Sequence, residues 1–213
     1  MVSPRPFPRH HNPMHVNNEQ TNTQKMLQHN QAKERVFSGG SLQRKLTDLV
    51  NLESGKFNID LKESTILNSI DYSADQIRNL LSSPSCITSD ADAQLLIKLK
   101  FVDKIDANQL VFEPPTSLSS SEASNARLVH VYVNKPEMDF SDLGENGTAP
   151  ATTFELPFEY PEEPFVVNLV GTKFTRVSSI QIFVEDNFGT EQSRIGKIGI
   201  RGFLTPNYHV EYK

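Results

Sequence analysis

The chain is poor in the residues that most often mark an activity. It has 213 residues, one cysteine, Cys86, and no tryptophan. A single cysteine excludes a disulfide framework within the chain and fits a reducing compartment. With no CxxC, dithiol redox chemistry within the chain is excluded as well. Without tryptophan, a sugar-stacking platform must be built from tyrosine or phenylalanine. No apolar run approaches the roughly 20 residues of a membrane helix. The GxSxG elbow, the Walker loop, GxGxxG and HExxH are all missing. Cys86 has no cationic neighbour in sequence to lower its pKa, so it reads as an inert thiol rather than a nucleophile.

Hydrophobic residues make up 37% of the chain, a low share that implies a segment building no core. That segment is residues 1–41. It is rich in Asn, Gln, His and Pro and holds few large aliphatics, too few to offset the entropy of ordering. It is read as a disordered tail. Its opening, MVSPRPFPRHHNP, has no apolar h-region and so is no secretory signal. Its prolines oppose the amphipathic helix of a transit peptide. His10, His11, His15 and His29 lie here without a scaffold to hold a metal geometry.

The net charge of −5 is uneven: residues 1–35 carry five Lys/Arg against two Glu, which leaves the body at −8. An acidic body is not expected to bind nucleic acid, and no membrane association is expected. No metal site, cofactor or catalytic residue is assigned.

Residues 42–204 read as one domain, entered through the flexible joint Ser38-Gly39-Gly40-Ser41. Leu42, Leu46, Leu49 and Val50 have helical spacing, so a short helix over Leu42–Leu52 is expected, with Ser41 as its N-cap. A helical turn is expected over Ser73–Leu81. The remainder of the domain is mostly strand. Leu95, Ile97, Leu99 and Phe101 alternate with Leu96, Lys98 and Lys100, giving one buried and one partly wet face. A separate short strand is read at Leu110–Phe112, then a Pro/Ser loop over Glu113–Asn125. Further strands are read at Ala126–Val133, at Phe154 and Leu156, and at Phe165, Val167 and Leu169. His130 reads as a packed or surface residue with no nucleophile near it in sequence.

Lys173–Phe203 is the most structured stretch. Ile180, Ile182 and Val184 alternate with polar and aromatic residues, and Ile198 and Ile200 mark a second strand. Between them lies a reversal at Glu185–Gly189, where Asn187 and Gly189 tolerate positive φ. The two strands are expected to pair as an antiparallel hairpin, since no crossover helix fits the gap. Short strands without βαβ alternation predict an all-β fold, an antiparallel β-sandwich. Residues 205–213 form a C-terminal tail. Tyr208, His209 and Tyr212 in it are candidates for contact with a partner or with the body.

The motifs carry a resemblance. KF-x-x-V-x-S-I-x-I-F-V-E-D-N-x-G with R-I-x-x-I-x-x-x-G, from Lys173 and Phe174 through Asn187 and Gly189 to Gly202, resembles the closing segment of the PITH domain family. That domain is named for the proteasome-interacting thioredoxins that carry it. Leu67-Asn68 matches the family's Leu-Asn pair, with Ile66 where a cysteine is common. S-D-x-D-x-Q-L-L, which supplies Ser89, Asp90, Asp92, Gln94, Leu95 and Leu96, is similar to the family's S-D-x-D-E-Q-L-L, with Ala93 in place of Glu. V-Y-V-N-x-P-x-M-D-F-S-D brings Asn134, Pro136 and Phe140, with Met138 and Phe140 expected to plug a sandwich edge. The residues themselves favour structural roles: asparagines completing turns, and carboxylates accepting backbone N–H bonds rather than forming a calcium loop.

The resemblance implies a jelly roll of the galactose-binding-like type and a stand-alone member without the thioredoxin half. It implies a non-enzymatic, monomeric interaction module, cytoplasmic and nuclear, that associates with subunits of the proteasome regulatory particle. The alternative is a jelly roll that binds a sugar or other small molecule at one end of the sandwich. A weak hydrolase or metal protein is disfavoured by the missing motifs.

Overall fold

The structure is a computed structural model and describes residues 46–50, 57–82, 84–116, 123–144 and 147–205. The described residues form one compact unit within Arg44–Lys213. The N-terminal tail with its histidines, the glycine joint, and Tyr208, His209 and Tyr212 lie outside them.

The strands are β1 (Thr47–Asp48), β2 (Thr65–Leu67), β3 (Ile87–Thr88), β4 (Leu95–Phe112), β5 (Ala123–Val133), β6 (Thr152–Glu155), β7 (Phe165–Asn168), β8 (Val177–Asn187), β9 (Gln192–Ile195) and β10 (Ile198–Leu204). A short helix, α1 (Gln76–Ser82), lies between β2 and β3 and buries Ile77, Leu80 and Leu81. Its length is set by that one apolar stripe and by Pro84 just beyond it.

β4 organises the rest. Its first half, from Leu95 to Lys100, pairs with β8 and, over Leu96–Lys98, with β2. Its second half, from Ile105 to Phe112, pairs with β10 and, over Gln109–Phe112, with β7. The change of partners coincides with an irregularity between Lys100 and Ile105. A strand that bends in this way can serve both layers of a sandwich. β5 is shared likewise. From Leu128 to Val133 it lies between β8 and β6, while Ala123–Asn125 pairs in parallel with β9, which also holds β3. The result is an all-β curled sheet of jelly-roll type, antiparallel at every pairing but β5–β9.

One core fills the curl. Ile97, Leu99, Val129, Val131, Ile180 and Ile182 from the first layer meet Leu110, Phe112, Ile198 and Ile200 from the second. Each such side chain contributes about 1.5–3 kcal/mol by leaving water. A second, smaller cluster lies on the outer face of the first layer, where Leu96, Tyr132 and Phe183 are covered by Met138. Close approach of β10 to β4 requires glycine at 202: a Cβ there would fall 2.1 Å from the Asp106 carbonyl oxygen.

Three expectations are corrected. β8 and β10 form no hairpin: β4 lies between them and pairs with both. Alternation specifies that each is a strand but not its neighbour. The described part of the expected Leu42–Leu52 helix is not helical: it is a two-residue strand followed by a bend. Thr47 and Asp48 pair with Gly202 and Arg201, and Leu49 N–H donates to the Ile200 carbonyl at 2.8 Å. Sheet pairing overrides a weak helical period, and the Asp48 carboxylate turns the chain by accepting from Val50 N–H at 3.1 Å. Leu110–Phe112 is the end of β4, not a separate strand.

Candidate functional site

Three asparagines lock the loops at the ends of these strands. Asn68 closes β2 in the left-handed region, with φ of 61°. Its carbonyl oxygen accepts from Ala91 N–H at 3.0 Å, and its amide donates to the Gln94 carbonyl at 2.7 Å and the Asp92 carboxylate at 2.8 Å. Asp92 also accepts from Gln94 N–H at 2.9 Å. Ser89 is fully buried, and its hydroxyl accepts from Ser193 N–H at 2.9 Å while donating to the Asp92 carbonyl. The Leu-Asn and S-D-x-D-x-Q motifs therefore form one polar knot, with β9 as its third member. Asp90 faces outward, and the Tyr72 hydroxyl donates to it at 2.9 Å. That bond holds the phenol above its ordinary pKa.

Asn187 repeats the device at the end of β8. Its carbonyl oxygen accepts from Gly189 and Thr190 N–H at 2.8 and 3.0 Å, and its amide donates to the Thr190 and Gln192 carbonyls. Gly189 takes φ of 96° in that turn. Asn134 ends β5 with φ of 58° and accepts from Ser178 N–H at 2.7 Å.

From Asn134 to Leu143 the chain folds as a flap over the outer face of the first layer. Met138 is buried there, and Phe140 meets Phe183 edge-on with ring centroids 6.2 Å apart. Leu67 packs on the same cluster, whereas Leu95 points into the main core. Pro136 and Met138 line a surface pocket of about 310 Å³ beside the flap, with Asn134, Lys135, Glu137, Asp142 and Thr148. Lys173 Nζ donates to the Ala151 carbonyl at 2.6 Å, and Phe174 is buried.

Other groupings are invisible in the sequence. His130 bonds Thr153 through Nδ1 at 2.8 Å and Glu185 through Nε2, a row across β6, β5 and β8. The order hydroxyl, imidazole, carboxylate is that of a nucleophile with its base. Thr153, however, sits within a paired strand and does not line the pocket. Its neighbours' N–H groups are spent in the ladder rather than gathered at an oxyanion hole. Arg127 bonds Asp186 and lies 4.0 Å from Glu155. The Arg127 bond, then the Asn187 N–H, hold the Asp186 carboxyl below its ordinary pKa. Burial, with help from Glu185, pushes the Tyr132 phenol up. Among the described residues no three His, Cys, Asp or Glu side chains are grouped to hold a metal, and no helix is long and apolar enough to cross a membrane.

A β-sandwich whose recurrent polar residues lock its own loops defines a scaffold class, in which motif residues hold the frame. The chain belongs to the PITH domain family, whose model matches residues 51–211. It is 29% identical over 124 residues to Thioredoxin-like protein 1 of Schizosaccharomyces pombe, covering 57% of this chain and 41% of that one. It is 26% identical over 131 residues to PITH domain-containing protein 1 of Danio rerio, covering 59% of this chain and 55% of the relative. The chain thus spans about half the length of the curated relatives it matches. Solved structures similar to it include CBM32-3 from a family 31 glycoside hydrolase of Clostridium perfringens, with 10% identity, a TM-score of 0.46, and coverage of 70% of this chain and 97% of that one. A putative chitobiase fragment from Bacteroides thetaiotaomicron has 9% identity, a TM-score of 0.48, and coverage of 80% and 99%.

Proposed function

We propose that the chain is a non-enzymatic, monomeric protein-interaction module of the cytosol and nucleus that associates with the proteasome regulatory particle. Family membership supports the partner. The observation that carries the interaction reading is an exposed aromatic rim. Tyr72 is 80% and Phe158 64% exposed, and Phe158 meets Phe188 edge-on at 5.1 Å. Hydrogen bonds tie the two ends of this rim together. Tyr72 reaches Asp90, whose carbonyl takes Gln192, and Asn187 links Gln192 to Thr190. Thr190 and Phe188 both bond Ser124. Exposed aromatics are typical energetic anchors of interfaces, and Tyr72 adds a polar handle. Asp71, Asp90, Glu159 and Glu191, next to rim residues in sequence or bonded to them, are exposed, so the face fits a basic surface on the partner.

The test is a pull-down of the tagged full chain from its own cytosol, read by mass spectrometry, beside the double variant Tyr72→Ala, Phe158→Ala and deletions of residues 1–41 and 205–213. Co-enrichment of regulatory-particle subunits with the full chain and its loss in the double variant is the expected result. If no such subunit exceeds the control, the proteasome reading fails. If the double variant binds as well as the parent, the rim is not the surface.

A further inference from the structure

The outer face of the first layer carries polar groups that the scaffold does not use. Lys98 of β4 sits opposite Gln181 of β8, which sits opposite Tyr132 of β5, and Lys100 sits opposite Ser179 in the neighbouring row. Side chains so paired stand about 5 Å apart on one face. Gln181 and Ser179 are 0% and 1% exposed. Gln181 Oε1 accepts from Lys135 N–H at 3.2 Å, but Gln181 Nε2 and Ser179 Oγ are buried with no partner among the described residues. Lys98, Lys100 and Lys135 have no carboxylate within 4.0 Å, since the ion pairs of the described residues involve other cations. Lys135 also lines the 310 Å³ pocket beside the flap.

We propose that this face is a binding site for a small oxyanion, a phosphate or carboxylate group, whose carrier lies along Pro136 and Met138. The unused valences are donors: three ammonium groups and an amide N–H, with a hydroxyl beside them. Donors of this kind make their strongest bonds to anionic oxygen. A buried donor without a partner costs about 1–3 kcal/mol, which an arriving oxygen relieves. Two carboxylates share the pocket. Asp142 accepts from Asp139 N–H at 2.9 Å and Glu137 is exposed; both keep their charge, so the anion seats at the lysines and only the uncharged part of its carrier meets the pocket. Lys98 and Lys100 are half-buried and meet the anion first. The Gln181 side chain, opposite Lys98 on the same face, adds the amide N–H to the set.

This site is independent of the interaction reading, and its test is separate. The full chain, labelled with ¹⁵N, is titrated with inorganic phosphate, with acetate, and with chloride at matched ionic strength. Phosphate or acetate, or both, is expected to move the Gln181 side-chain amide and the Lys135, Ser179 and Gln181 backbone signals saturably, in the millimolar range. Saturation by phosphate alone assigns a phosphoryl carrier, and saturation by acetate assigns a carboxylate. The double variant Lys98→Gln, Lys100→Gln keeps the bulk of both side chains, and its spectrum reports whether it is folded. It should bind about tenfold more weakly. Shifts that follow chloride equally, no saturable shift at Gln181, or an unchanged affinity in the folded double variant would overturn the proposal.

Discussion

Asn68 holds a left-handed backbone and ties β2 to the Ser89–Gln94 loop with one side chain. Replacing it by alanine leaves the Ala91 N–H and Gln94 carbonyl without their partner and keeps a strained φ. The hydrogen bonds and the φ strain together cost about 2–4 kcal/mol. Asn68→Gly loses the same bonds but relaxes φ, so it should recover roughly 1 kcal/mol of that loss. Urea unfolding midpoints should rank the parent first, Asn68→Gly second and Asn68→Ala last; equal midpoints for the two variants would remove φ from the account. The sequence marks Asn68 and Asp92 as separate loop residues. Their meeting depends on β2 lying beside β4, which no local pattern encodes. Gln181 is similarly hidden. Alternation assigns it to a wet face, and only the flap explains why a strand glutamine is buried.

The flap from Asn134 to Leu143 is held chiefly by Met138 on Leu96, Tyr132 and Phe183. Met138→Ala should cost about 2–3 kcal/mol locally. Hydrogen exchange should quicken across residues 134–143 while Ile180 and Ile182 in β8 stay protected; loss of protection in both together would make the flap part of the main cooperative unit. Strands are the elements most legible in the sequence, because a period of two survives wherever one face is buried. Their partners are not. β8 and β10 are close in sequence and have strong apolar alternation, yet each spends its inner hydrogen bonds on β4. Helical spacing in Leu46, Leu49 and Val50 reflects two consecutive buried residues beside β10 rather than a helix face.

At the scale of the whole molecule, Arg127 joins three strands by meeting Asp186 of β8 and Glu155 of β6 from β5. The folded pKa of Asp186 lies below the ordinary 3.8, so folding favours its ionised form. That contribution is complete above the ordinary value and is lost as pH falls through the lower, folded one. The stability gap between the parent and Asp186→Asn should therefore be full at neutral pH and close under acid below about pH 4. Chemical denaturation at several pH values measures it; a gap that persists in acid would assign the effect to packing. The Asp186 side chain is 45% exposed, so solvent screens the pair and the gap is modest.

The strand that serves both layers also sets an order of events. β4 ends at Phe112, but β8 begins at Val177 and β10 at Ile198. During synthesis an apolar segment of 18 residues waits for most of a hundred more before its main neighbours exist. Among the described residues the partners made before β8 are short: β2, the bridge from Ile59 to Phe101, and β7. Pairings this distant in sequence fold slowly, and an unpaired apolar strand is a template for association with other chains. Lys98, Lys100 and Lys104 punctuate that strand with positive charge. Charges of one sign on a strand oppose its pairing with a like strand of another chain, which matters most in this interval.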